Sequence, residues 1–95
     1  MDDIKSEDIF GENPEIELRE IADGYAAFDP ASDRLHFLNP TAAFLLRSCD
    51  GRLQLNKIEQ IYTRFFELDQ CPKDDILLCI QELLREGLIV RIISD

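Results

Sequence analysis

The chain has no Trp, a single His and a single Met, and no apolar run near the roughly 20 residues that span a bilayer. Three cysteines form an odd set, Cys49, Cys71 and Cys79, lying 22 and 8 residues apart. That spacing suits neither a disulfide framework nor a structural zinc site, which needs four ligands and often takes them in close pairs. Reduced thiols fit a cytoplasmic location. Basic residues are also scarce. Ten Lys and Arg stand against 20 Asp and Glu, a net charge of −10. Nucleic-acid affinity comes largely from Lys and Arg displacing counterions at phosphates, so DNA, RNA and anionic membranes are poor partners. The acidic start, Met1 to Asp8, lacks the apolar core of a secretory signal.

What is present suits one small soluble domain. Apolar residues make up 45% of 95 and charged ones 32%. Residues 1–13 are polar and acidic and read as a mobile arm, leaving 14–95 as the domain. Glu15 to Ile21 alternates polar and apolar residues as a half-buried strand does. Tyr25–Phe28 follows as a second strand. Asp29-Pro-Ala-Ser-Asp33 is turn chemistry, so Arg34–Leu38 should pair back as an antiparallel third strand.

Asn39-Pro40 is an N-cap followed by a proline at the first helical position. The first helix runs to about Cys49, places Ala42, Leu45, Leu46 and Cys49 on one face, and stops at Asp50-Gly51. Phe44 falls on its opposite side. A second helix, about Leu55 to Phe66, carries the stripe Leu55, Ile58, Ile61, Tyr62 and Phe65. A third starts at Pro72, with Asp74 and Asp75 favouring the positive end of its dipole, and ends near Glu86-Gly87. Leu88 to Ile93 reads as a closing strand. The expected class is α+β: a three-stranded antiparallel sheet followed by three helices, winged-helix-like.

Cys79, Leu83, Ile76, Gly87, Ile80, Leu84 and Leu77 of the third helix sweep roughly 160°, wider than the ~100° stripe that seats a helix on a core. Either the domain wraps this helix on both sides, or one flank faces a ligand. Chemistry for catalysis is missing: His36 sits in a strand beside Leu35 and Phe37, and no Ser or Cys lies at a nucleophile spacing from it. Asp74-Asp75, Glu82 and Glu86 read as solvated helix faces. No catalytic residue, cofactor or metal site is expected.

The run Leu35-His-Phe-Leu-Asn-Pro-Thr-Ala-Ala-Phe-Leu-Leu46, followed by Cys49-Asp-Gly51, resembles the PqqD-like family. Ile58 to Phe66 and the stretch Asp75 to Ile89, with Glu82-Leu-Leu-Arg-Glu-Gly-Leu-Ile89, are similar to its second and closing helices. The resemblance spans roughly residues 14–92. Gln54 departs from it, since the family commonly has Thr or Ser as the cap of the second helix.

The resemblance implies a recognition element for ribosomally made, post-translationally modified peptides, as in pyrroloquinoline quinone (PQQ) synthesis. The leader of a precursor peptide would add as a strand beside the third strand and lie against the third helix. The domain would then present it to a modifying enzyme, such as a radical-SAM enzyme, a protease or a cyclase. Arg34, Leu35, His36, Phe37 and Leu38 would form the peptide-binding edge, and Ile76, Cys79, Ile80 and Leu83 the floor of the groove. Which face of the strand lines the groove is open, as is monomer against weak homodimer. The competing classes are a structural or chaperone subunit of a biosynthetic enzyme and a winged-helix DNA-binding regulator. The latter needs a basic helix, yet Pro72–Leu88 sets Lys73 and Arg85 against Asp74, Asp75, Glu82 and Glu86.

Overall fold

The structure, a computed structural model, describes residues 4–92. In chain order the elements are β1 (Ile9–Glu12), β2 (Glu17–Ile21), β3 (Gly24–Asp29), β4 (Arg34–Leu38), α1 (Pro40–Ser48), β5 (Asp50–Gln54), α2 (Leu55–Phe65), α3 (Lys73–Arg85) and β6 (Ile89–Ile92). They form two three-stranded antiparallel sheets, ordered β2-β3-β4 and β5-β1-β6. The first is the expected meander. The second corrects the expectation of a single sheet. Ile93, the end of the expected closing strand, lies outside the described residues.

The largest correction concerns residues 1–13, read as an arm. Residues 1–3 lie outside the described residues, but Ile9–Glu12 form the central strand of the second sheet, and Phe10 is fully buried. Ile4 packs against the same core. The guanidinium of Arg91 on β6 sits 5.8 Å from the Phe10 ring centroid, a cation–π distance, and lies 4.0 Å from the Asp8 carboxylate. One buried aromatic therefore outweighs the surrounding polar composition, because removing a Phe from water yields roughly 1.5–3 kcal/mol. Asp50-Gly51, expected only to stop α1, begins β5, which pairs with β1.

The helices follow their capping chemistry. Asn39 accepts hydrogen bonds from the Ala42 N–H at 2.8 Å and the Thr41 hydroxyl at 2.9 Å, fixing the start of α1. Gln54 caps α2 without a side-chain hydrogen bond. Instead the carbonyls of Asp8 and Ser6 accept the N–H groups of Leu55 (2.8 Å) and Asn56 (2.9 Å). The N-terminal segment thus does for α2 what a Ser or Thr side chain does elsewhere.

At the other end, α3 closes in a Schellman turn, Gly87 N–H to Leu84 carbonyl (3.0 Å) and Leu88 N–H to Leu83 carbonyl (2.9 Å). Gly87 sits at φ +75°, which disfavours any side chain. The turn places Leu88 and Ile89 in the core.

That core is one cluster joining Phe10, Ala27, Leu38, Leu45, Leu46, Leu55, Ile58, Ile76, Ile80, Leu83, Leu88 and Ile89. Phe44, off the buried face of α1, packs in an aromatic cluster with Tyr62, Phe65 and Phe66, at centroid distances of 5.9, 4.6 and 5.4 Å. The α2 stripe is only partly buried: Leu55 and Ile58 are inside, whereas Ile61 and Phe65 are exposed. No helix among the described residues is long and apolar enough to cross a membrane.

Candidate functional site

In the first sheet β3 is central, leaving β4 hydrogen-bonded on one side only. An antiparallel strand alternates its backbone groups, so about half the N–H and C=O groups of β4 face away from β3, unpaired by the sheet. The same is true of β2, but Glu17, Arg19 and Glu20 place three charges in its five residues. Charge is a common guard of a strand edge. β4, Arg-Leu-His-Phe-Leu, carries one permanent charge.

A groove of about 520 Å³ runs between β4 and α3, with Ala42 of α1 and Leu88 also on its walls. Leu38, His36, Cys79 and Leu83 line it, and Glu82 and Glu86 form its acidic side. Alternation along β4 divides its side chains between two faces, and residues of both border the groove. His36 and Leu38 turn inward, while Leu35 and Phe37, which also border the groove, are 54% and 71% exposed. His36 Nδ1 lies 3.3 Å from Glu86 Oε2, and Arg34 Nη2 lies 3.4 Å from the same oxygen. These contacts pin the last turn of α3 to the strand.

Of the residues expected to form the site, β4 and the pair Cys79 and Leu83 come together at the groove. Arg34 lies at its end, paired with Glu86. Ile76 and Ile80 do not line it; they are buried in the core, 1% and 0% exposed. The wide apolar arc of α3 therefore divides differently from expectation. Its centre packs on the core, and only the flank bearing Cys79 reaches the groove. Asn39, Ala42, Glu82, Glu86 and Leu88 also line the groove and are not among the expected residues. Glu82 and Glu86 stand at i+3 and i+7 from Cys79, on one helix face, although by sequence they look like solvated charges.

Two of the cysteines, Cys49 and Cys79, are poor nucleophiles. Burial pushes the Cys49 thiol up to about 12 and that of Cys79 to about 11, the nearby Glu82 charge adding to the latter. The Cys49 thiol donates to the Leu45 carbonyl at 3.2 Å. Among the described residues no group of three His, Cys, Asp or Glu side chains is placed to hold a metal ion. A second hollow, about 620 Å³, lies along α2 by Glu59, Thr63, Cys71 and Lys73, with no strand edge beside it.

Neither the curated proteins nor the solved structures gave a match. A family model described as coenzyme PQQ synthesis protein D (PqqD) matches residues 24–89, from the start of β3 to the start of β6, so both walls of the groove lie inside the matched segment. The chain belongs to the PqqD family.

Proposed function

We propose that this chain is a non-catalytic recognition domain that binds the leader of a ribosomally made precursor peptide and presents it to a modifying enzyme in PQQ-type peptide chemistry. The leader adds as a strand to β4, and its inward side chains settle in the groove against α3. The observation that carries this reading is the pairing of a lightly charged strand edge with an apolar-floored groove on the same side. Strand addition draws affinity from main-chain hydrogen bonds and specificity from pockets for alternate side chains. Membership of the PqqD family supports a role beside a biosynthetic enzyme. The raised thiols of Cys49 and Cys79, and a sole His engaged with Glu86, favour binding over chemistry.

The test is titration with a synthetic leader of the short precursor encoded beside this gene. Phe37→Pro and His36→Pro are measured in parallel, because successive residues point their N–H groups to opposite sides of β4. One variant damages the β3–β4 ladder; the other removes an outward donor from an intact sheet. The variant that keeps its fold should lose binding at least tenfold. Unchanged binding in that variant contradicts strand addition.

A further inference from the structure

Resting on that reading of the groove, we infer that the peptide it takes carries a Lys or Arg that pairs with Glu82, on the same strand face as an apolar residue seated on the groove floor. The floor is apolar and small-featured. Leu83 and Leu38 are almost fully buried there, with Ala42 and Cys79 half-buried beside them. The α3 wall is acidic, and its two carboxylates are not equivalent. The two basic side chains at the groove, Arg34 and His36, converge on the same oxygen of Glu86, at 3.4 and 3.3 Å. Glu82, one turn back, is exposed and has no ion-pair partner among the described residues. Its charge is felt inside the groove, where it helps to raise the Cys79 thiol.

The dimensions suit an extended ligand. Same-face residues of a strand stand about 6.7 Å apart. Along α3, at about 1.5 Å per residue, Glu82 lies about 4.5 Å and Glu86 about 10.5 Å from the level of Cys79. A strand running along α3 with an apolar side chain at Cys79 and Ala42 therefore brings its next same-face residue between Glu82 and Glu86, nearer to Glu82. A cation there finds a free carboxylate, whereas an acidic side chain meets two like charges, which discriminates between leaders by repulsion as well as attraction. The net charge of −10 steers basic segments toward the chain.

The experiment selects displayed random dodecapeptides on the immobilised full chain, and maps each enriched peptide by amide protection of β4. Peptides that protect β4 should share a Lys or Arg two positions from an apolar residue. Changing that residue to Gln should weaken binding about fivefold at low salt, and changing it to Glu should weaken it further. Glu82→Lys should invert the order, so that the Glu peptide binds better than the Lys peptide. If peptides protect β4 yet show no charge preference, or Glu82→Lys leaves the order unchanged, the inference is overturned and the groove reading stands. If no enriched peptide protects β4, both are overturned.

Discussion

His36 on β4 and Glu86 on α3 lie 3.3 Å apart across the end of the groove, and Arg34 shares the same carboxylate oxygen at 3.4 Å. The arrangement joins the free sheet edge to the helix that faces it. It also engages Arg34, while Glu82 has no ion-pair partner among the described residues. Arg34 is largely exposed, so the energy of its ion pair is modest. Glu86→Gln should cost at most about 1 kcal/mol in chemical denaturation. A much larger loss would mean that the α3–β4 junction depends on this carboxylate for its fold.

Removal of residues 1–12 provides a sharper contrast. A mobile arm could be cut away without consequence. Here β1 is the central strand between β5 and β6, Phe10 is fully buried, and the carbonyls of Ser6 and Asp8 cap α2. Phe10→Ala alone should cost about 3–5 kcal/mol, a large part of the 5–15 kcal/mol typical of a domain. The truncated chain should lose cooperative thermal unfolding. Removing only residues 1–7 should be milder, and Gln54→Asp should recover part of that loss, up to about 1 kcal/mol, by restoring a side-chain cap.

The difference between what was legible and what was not follows from contact distance along the chain. β2, β3, β4 and the three helices carry their signals locally: alternation, turn residues, caps and apolar periodicity. β1 has only Ile9 and Phe10 as apolar residues in four, and β5 only Leu53 in five. Their pairing partners lie some 40 and 80 residues away, Ile9 opposite Gln54 and Ile92. No local pattern marks β1 or β5; of that sheet only β6 is visible locally, as the apolar run from Leu88. The groove was legible as a strand beside a helix with surplus apolar surface. Which flank of α3 was surplus was not, because helical periodicity gives an arc without saying where the core lies on it. Periodicity alone therefore offers Ile76 and Ile80 to the groove, whereas the fold buries them in the core.

Asp50 offers a test of the β5 turn by pH. Its carboxylate accepts the N–H groups of Arg52 at 2.8 Å and Leu53 at 3.1 Å, and these bonds hold it below the usual carboxylate value. A carboxyl depressed in the folded state stabilises above its unfolded value, and that contribution is lost as pH falls through the folded value. The parent chain should therefore lose part of its stability below about pH 4 through this group. Asp50→Asn keeps an acceptor and has nothing to titrate, so its melting temperature should fall less steeply with acid. Identical slopes for the two chains would contradict the turn geometry.

The thiols make a second chemical prediction. At pH 8 a thiol raised from 9.0 to about 11 holds roughly one hundredth of the thiolate. Alkylation of Cys79 by iodoacetamide should be slower than that of a free cysteine peptide by a similar factor, and slower still at Cys49, raised to about 12. Because Cys79 lines the groove, a bound peptide should slow it further while leaving the Cys49 rate unchanged. Equal protection at both would indicate general stabilisation and not occupancy of the groove.

Amide hydrogen exchange of residues 34–38, with and without a saturating leader peptide, tests strand addition most directly. Alternate amides of β4, those facing away from β3, should be open in the free chain and gain at least tenfold protection in the complex. Those paired with β3 should change little. Tight binding that leaves every β4 amide at its free rate, with protection appearing only on α2 or on the β6 edge, would contradict the account.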